Sequence, residues 1–334
     1  MPSLVGSEMC IRDRSRISRR LADDSLAIRA AWLHFGAGLT QAEVAERLGV
    51  SSVKAHRLVA RASQTGAVKV VIEGDVTECL QLEDRLSERF GLTRCEVVPD
   101  LFESGLPLRA LGMAGAAFMR REIETMQGGG VIGLGHGRTL AAAISSMPKV
   151  DGGQVRFVSL LGGLTRNFLA NPHDVMHRLA ENTGAAAYVL PVPFFANSVA
   201  DRDVLLAQRG VNDVFQMALN ADLMFVGIGI AQPEAQLVAS RMIDIEEIRE
   251  VQAGGGVGEM LGHFFDRDGL PIETSLSART VSPGIDLLKD RRIVALAGGE
   301  GKVRGIRSVL KSGLLAGLIT DEKTASALLE TDSF

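Results

Sequence analysis

The sequence has little of what several familiar kinds of protein need. Its three cysteines, Cys10, Cys79 and Cys95, are few, odd in number and without metal-ligand spacing. No disulfide framework and no metal site is therefore expected, and the expected setting is a reducing cytoplasm. One Trp and one Tyr in 334 residues leave almost no surface for stacking bases, which argues against single-stranded nucleic acid as a partner. No window holds about 18 uninterrupted apolar residues, so no membrane-spanning helix and no membrane partner is expected. The opening MPSLVGSEMCIRDRS lacks the basic segment and hydrophobic run of a signal peptide. Internal repeats and low-complexity linkers are absent. Net positive charge is also absent: the formal charge is -4, which at first sight excludes a DNA binder.

What is present suits a small domain followed by a large one. Hydrophobic residues make up 46% and charged residues 23%, ordinary for a globular protein. The run LVGSEMCIRDR resembles a translated library-preparation adapter, and its Met9–Arg14 portion back-translates to a transposase end. Residues 1–14 are therefore expected to be a disordered assembly artefact without function. A genuine disordered tail is the alternative.

The charge is unevenly distributed. Residues 15–73 hold nine Lys/Arg and five Asp/Glu, giving +4; residues 1–14 sum to zero, so residues 74–334 carry -8. The acidic total hides a basic amino-terminal module. Within it, Leu26 to Phe35 is apolar at helical spacing, with Asp23-Asp24-Ser25 ahead as a cap. In LTQAEVAERLGVSSVKAHRLVARA, Thr40 and Glu43 form a capping box. Ala45 is the small residue that lets two helices touch, and Gly49 tolerates the positive φ of a tight turn. Val44, Leu48, Val50 and Leu58 lock the pair. This spacing fits a helix-turn-helix, with a structural helical hairpin as the alternative. The basic charge, and AVKVVIEG as half of a wing, favour DNA. The third helix, starting at Ser51 or Ser52, would enter the major groove. Ser51, Ser52, Val53, Lys54, His56 and Arg57 occupy its exposed face, Arg61 is a phosphate contact, and Thr40 and Gln41 start the supporting helix. Thr77–Phe90 is expected to be a linker helix that pairs with a second subunit.

From about Val97, short apolar runs alternate with amphipathic helices: VIGLG then TLAAAISSM, VRFVSLLGG then HDVMHRLAENTG, then AYVLPVPF, LMFVGIGIA, RIVALAGG and GLIT. The expected fold class is α/β, a doubly wound parallel sheet with helices on both faces. Ligands bind such sheets beyond the carboxyl ends of the strands, and this chain places its glycines there. VIGLGHGRTLAAA brings Gly133, Gly135, His136, Gly137, Arg138 and Thr139 to a strand-to-helix turn, an anion or hydroxyl site. ALAGGEGKVRG repeats the design with Gly298, Gly299, Gly301 and Lys302. Neither loop has the order of a dinucleotide fingerprint or a Walker loop, so no cofactor is expected. Tight turns without a ligand are the alternative for each loop.

LTQAEVAERLGVSSVKAHRLVARASQTGAVKV resembles the amino-terminal domain of the SorC/DeoR family of sugar-responsive bacterial transcriptional regulators. The family commonly has Ser-Arg where this chain has Ser51-Ser52, and a larger aliphatic where it has Ala55, while Arg57-Leu58 matches. The departure at Ser52 bears on base preference, not on fold. The resemblance continues through VIGLGHGRTL, VRFVSLLGGL, DLMFVGIG, GGVGEMLGHFFDRDG, IVALAGGEGKVRGIRSVL and GLITDEKTA. Within the family, SVKAHRLVARA, GLPLRALGMAGA and PVPFFANSVADRDVLLAQRGV most resemble regulators of erythritol catabolism operons. The family's large domain is similar to sugar-phosphate isomerases and deaminases. The resemblance implies that Gly135, Gly137, Arg138, Thr139, Gly162, Gly163, Asp266 and Lys302 line an effector pocket, with Gln236 a weaker candidate. Asp266 also fits an ordinary D-R-D-G turn. The implied organisation is a DNA-binding domain over 15–75, a linker helix over 76–95 and an effector domain over 96–334.

Two functions compete. One is a DNA-binding regulator, a repressor of a polyol or carbohydrate catabolism operon, whose affinity is set by a polyol, sugar or sugar phosphate, with erythritol leading. The other is a sugar-phosphate isomerase or deaminase with an accessory DNA-binding domain. Isomerisation needs a positioned base and acid. In the related enzymes the strand ending in GIG is followed by acidic and histidine residues, whereas here IAQPEAQ offers only Glu234. The regulator is the expectation. Its partners would be double-stranded operator DNA, the effector and further copies of itself: paired half-sites require a dimer, and the resemblance implies a tetramer.

Overall fold

The computed structural model describes residues 23–68, 76–164 and 175–330. The proposed artefact over 1–14 and most of the wing strand lie outside the described residues. The chain forms two compact units, residues 1–70 and 71–334.

In the small unit, residues 23–31 are helical (α1) and run into one π-turn, Trp32–Gly36. Asp23, Asp24 and Ser25 lie inside α1 rather than ahead of it, and Asp24 is used elsewhere, as described below. The helix α2, Gln41–Leu48, begins with a capping box. The Thr40 N–H donates to the Glu43 carboxylate at 2.7 Å, and the Glu43 N–H donates to Thr40 Oγ1 at 3.4 Å. Gly49 ends it at φ 63°, ψ 36°, a conformation that costs glycine little. The helix α3, Ser52–Gln64, is capped by Ser51, whose hydroxyl accepts from the Lys54 N–H at 3.3 Å. Ala27, Ala30 and Ala31 of α1 pack with Val44 and Ala45 of α2 and with Ala55, Leu58, Val59 and Ala62 of α3. The predominance of alanine lets the three helices approach closely.

The large unit opens with α4, Thr77–Phe90, then β1, Arg94–Val98. Three βα units follow: α5, Leu108–Thr125, leads to β2, Gly130–Leu134, and α6, Arg138–Ser146; then come β3, Val155–Leu164, α7, Met176–Thr183, and β4, Ala186–Pro193. Helices α8, Val199–Ala207, and α9, Arg209–Leu219, return the chain to β5, Leu223–Val226. A smaller set comes next: β6, Gly229–Ile230; α10, Gln236–Ala239; α11, Ile245–Ala253; β7, Gly258–Met260; β8, His263–Phe265; and β9, Pro271–Ile272. The chain then passes through α12, Ser275–Ala278, and α13, Ile285–Leu288, to β10, Ile293–Leu296. A 3-10 turn over Glu300–Lys302 precedes α14, Val303–Lys311, and β11, Gly317–Asp321, and α15, Glu322–Leu329, close the unit.

Seven strands form one sheet in the order β1-β11-β10-β5-β2-β3-β4, and every pairing is parallel. Side chains alternate between the two faces of a strand. Accordingly, Met224, Val226, Ile293, Ala295 and Leu318 join one core, while Leu223, Phe225, Val294, Leu296 and Ile319 join the other. Both faces are buried, which is why these strands read as continuous apolar runs. The strands β6-β7-β8-β9 form a separate antiparallel sheet, absent from the sequence expectation.

Helix α4 is built into this unit. Cys79 and Leu86 are buried in its core, Glu83 accepts from the Val97 N–H at 2.8 Å, and Arg89 donates to the Leu329 carbonyl at 2.8 Å. The apolar side of a supposed linker is thus used within the subunit.

Candidate functional site

Two surfaces carry the residues singled out from the sequence. In the small unit, Ser51, Ser52, Val53, Lys54, His56 and Arg57 are all exposed, while Ala55, Leu58, Val59 and Ala62 on the opposite side of α3 are buried. Val53 is 63% exposed, an apolar side chain of a size to meet a thymine methyl. Thr40 and Gln41 sit at the start of α2, with Thr40 engaged in its capping box. Arg61 differs from the rest. Its guanidinium is held by Asp24, with Nε donating at 2.9 Å and a closest ion-pair distance of 2.6 Å. This bond ties α3 to α1, so Arg61 is already engaged within the unit.

The second surface lies where the winding of the large sheet reverses. From β2 the chain moves outward through β3 and β4, then returns on the other side of β2 as β5. In doubly wound sheets the crevice at such a reversal binds ligands. A cleft open to solvent occurs there, lined by residues 135–139, Leu161, residues 227–230, Ala235, Gln236, Leu237, Glu259, Leu261 and Lys302.

The loop after β2 brings Gly135, His136, Gly137, Arg138 and Thr139 to one wall. Thr139 is buried and donates to the Leu296 carbonyl at 2.9 Å, pinning the first turn of α6 to β10. His136 packs edge-on against Phe194, with ring centroids 5.1 Å apart. Arg138 is exposed at the mouth and forms no hydrogen bond or ion pair with any described residue. Lys302 reaches in from the 3-10 turn and donates to the Ile228 carbonyl at 2.7 Å. Burial pulls its ammonium down to about 8, helped by the charge of Arg138 and opposed by Glu259. Glu259 comes from β7, and burial pushes its carboxyl up to about 7, against the pull of the Gly262 N–H and Lys302. The Gly262 N–H donates to Glu259 Oε1 at 2.7 Å. Gly229 pairs with Glu259 across the small sheet, and a Cβ at Gly229 would overlap Glu259 Oε2. The glycine makes room for the carboxylate.

Several expected residues do not line the cavity. Asp266 closes its own turn: its Oδ1 accepts the N–H groups of Asp268 at 2.9 Å and Leu270 at 2.8 Å. Gly162 lies in β3, where its N–H donates to the Val281 carbonyl at 3.0 Å and a Cβ would overlap Pro193. Gly162 pairs with Leu190 of β4, Gly163 falls at the register shift between Gly162 and Leu164, and it is Leu161 that lines the ligand space. The Gly299 N–H is taken by Thr324 Oγ1 at 2.7 Å and, more weakly, by Asp321. The second glycine loop therefore contributes Lys302 rather than a cradle of N–H groups.

Glu259 was missed by the sequence reasoning. It belongs to a three-residue strand, too short for periodicity, and the only signals were the glycines of GGVGEMLG and GIG. Its position also corrects the expectation that Glu234 is the only acid offered at the GIG strand: Glu234 is exposed, but Glu259 and Lys302 both line the cavity. Among the described residues no cluster of three or more His, Cys, Asp and Glu is placed to hold a metal ion, and no helix is long and apolar enough to cross a membrane.

A parallel α/β unit with a ligand cleft at its reversal point, in one chain with a helix-turn-helix, defines the class of ligand-responsive DNA-binding proteins. The domain family described as "Putative sugar-binding domain" matches residues 74–330. The erythritol catabolism regulatory protein EryD of Brucella abortus is 63% identical over 308 residues, covering 92% of this chain and 97% of that protein. The transcriptional regulator LsrR of Klebsiella pneumoniae is 31% identical, covering 97% of this chain and 98% of the relative. Among solved structures, the full-length sorbitol operon regulator SorC of Klebsiella pneumoniae superposes with a TM-score of 0.65 at 26% identity, covering 92% of this chain and all of that one. The chain belongs to the SorC/DeoR family of sugar-binding transcriptional regulators. It is a regulator and not an enzyme; the family carries that conclusion, since the cavity does hold groups able to move protons.

Proposed function

We propose that the chain represses a carbohydrate or polyol catabolism operon, and that a small polyol or sugar seated at the β2–β5 junction controls its affinity for operator DNA. One observation carries this reading. The GHGR loop, Gln236, Glu259 and Lys302 come from four separate stretches of chain and converge on one cleft, at the place where sheets of this kind bind ligands. Residues 15–75 serve as the DNA-binding domain, with Lys54, His56 and Arg57 facing the major groove and Ser51, Ser52 and Val53 at the leading end of α3. Residues 96–334 hold the effector, joined to the first domain through 76–95. Paired half-sites require at least two copies of the chain.

Erythritol is the leading effector, because the Brucella relative at 63% identity is named for erythritol catabolism. A four- or five-carbon sugar phosphate is the second reading, favoured by the cationic pair Arg138 and Lys302. A thermal-shift screen of polyols, sugars and their phosphates tests the site. A ligand at about 100 times its Kd should stabilise the protein by about 2.7 kcal/mol, and Lys302→Ala should remove the shift. If no compound of these classes raises the melting temperature, the cavity is not the effector site.

A further inference from the structure

The two edges of the seven-stranded sheet are finished differently. At one edge, β1 is closed by charge. Arg94 and Glu96 lie 3.4 Å apart, Arg121 joins the same carboxylate at 2.6 Å, and the Val97 N–H is taken by Glu83 at 2.8 Å. Charged side chains on an edge strand keep a further strand from adding to it. At the other edge, β4 pairs with β3 alone among the described strands, and it has no such guard. Residues 182–200 contain no charged side chain, in a chain that is 23% charged.

The unguarded edge also leaves apolar side chains uncovered on both faces. Tyr188 and Val189 are neighbours in β4 and so point to opposite faces of the sheet, yet they are 37% and 42% exposed. By contrast, β5, β10 and β11 are buried throughout. Helix α8 follows β4 and has no buried residue; its Val199 and Val204 are both exposed. Its Leu205 and Leu206 pack against the small cluster that contains Leu190 and Val192 of β4, so strand and helix belong to one patch.

A row of open backbone groups is a template for another strand, and the composition says which. Across a two-fold axis a segment meets its own copy. A charged segment would then set like charges opposite one another, which destabilises a strand pair. A segment without charge meets itself freely. Proline sets the limits. Pro191 and Pro193 have no N–H to donate, so a ladder is confined to the part of β4 before them, Ala186 to Leu190, with Tyr188 at its middle.

We propose that β4 and α8 form the contact between two copies of this chain. Ala186 to Leu190 pairs antiparallel with itself about a two-fold axis centred on Tyr188, and Val199 and Val204 are covered at its flank. The contact supplies the second copy that paired half-sites require, and it stands independently of what the cleft binds.

Sedimentation velocity and non-reducing electrophoresis of the full chain test this. The parent should sediment as a dimer or a multiple of dimers. Tyr188→Asp and Tyr188→Lys should each weaken association by about tenfold or more, because each sets like charges face to face, and both should keep the parent's circular dichroism. Mixed in equal amounts, the two variants should regain the parent's mass, since aspartate then faces lysine. Tyr188→Cys should give a disulfide-linked dimer under mild oxidation, because facing residues of an antiparallel pair lie about 4.5–5.5 Å apart at Cα, within the reach of a disulfide. The parent with its native thiols should give none. Recovery on mixing distinguishes a facing pair from a folding defect, and the cysteine variant adds no charge to disturb the fold. A monomeric parent, charged variants that associate as the parent does, a mixture no better associated than its components, or a cysteine variant that cross-links no more than the parent overturns the proposal. None of these results bears on the cleft, whose ligand is tested separately by thermal shift.

Discussion

Replacing Asp321 should separate the roles of the loop that carries Lys302. Asp321 ends β11 and caps α15, and it is only 3% exposed. Its Oδ1 accepts the Thr324 N–H at 3.0 Å, and its Oδ2 accepts the Thr324 hydroxyl at 2.6 Å and the Gly299 N–H at 3.3 Å. Asp321→Ala therefore removes a helix cap, worth about 1 kcal/mol. It also frees a buried hydroxyl and weakens the hold on Gly299, at about 1–3 kcal/mol for groups left without partners. Relief of the buried carboxylate's desolvation offsets part of this. The net loss should be about 2–4 kcal/mol, lowering the melting temperature of the large unit by roughly 5–15 °C at about 2–4 °C per kcal/mol. Asp321→Ser keeps an oxygen for the Thr324 N–H but is too short for Gly299, so it should recover about 1 kcal/mol of the loss. Effector affinity should fall in both variants, because Lys302 follows Gly299 by three residues on the same turn. Far-UV circular dichroism melts and calorimetry with erythritol measure the two effects. An alanine variant that melts within about 2 °C of the parent and binds effector normally would refute the assigned role of this carboxylate.

Lys54→Ala and Arg57→Ala should each weaken binding to the protein's own promoter region by about 1–3 kcal/mol, without altering effector binding; unchanged gel-shift titrations at fixed salt would remove them from the reading face. Arg61→Ala should change the salt dependence of DNA binding less than Lys54→Ala does, because Arg61 is held by Asp24; an equal change in slope would mean that Arg61 reaches phosphate. Glu259 titrates at about 7 when folded, above its ordinary 4.5, so the stability from its protonated form is fully present below about pH 4.5 and is lost as pH rises through about 7. Glu259→Gln should therefore gain on the parent in stability over that interval, by up to about 3 kcal/mol, read as a rising difference in melting temperature; a melting-temperature difference that stays constant from acid to about pH 8 would contradict the buried position of the carboxylate.

Much of the architecture could be read from the chain because local chemistry and fold agree there. Thr40, Glu43, Ala45 and Gly49 announce the helix pair through their own caps, size and φ. The apolar runs at 223–226 and 293–296 announce strands buried on both faces. The rest depended on partners distant in sequence. Arg61 meets Asp24 from 37 positions away. The antiparallel sheet is built from strands of two or three residues, too short to show alternation, so Glu259 passed as part of a glycine-rich turn. Glycine was over-read as a ligand signal: Gly162 meets Pro193, and the Gly299 N–H is spent on Thr324. Asp266 followed its local D-R-D-G pattern instead of the implied pocket role. Helix α4 has a linker's charge content, but Cys79 and Leu86 bury it in the large unit.

The central claim is that a ligand in the β2–β5 cleft changes the affinity of α3 for DNA. Fluorescence anisotropy measures this coupling directly, using a labelled duplex from upstream of the protein's own coding region, titrated with protein in the presence and absence of saturating erythritol. The expected result is a shift in DNA affinity of about 5–150-fold, corresponding to about 1–3 kcal/mol of coupling, and its loss in Lys302→Ala with DNA affinity otherwise retained. DNA affinity that is identical with and without every polyol, sugar and sugar phosphate that binds the protein would contradict it.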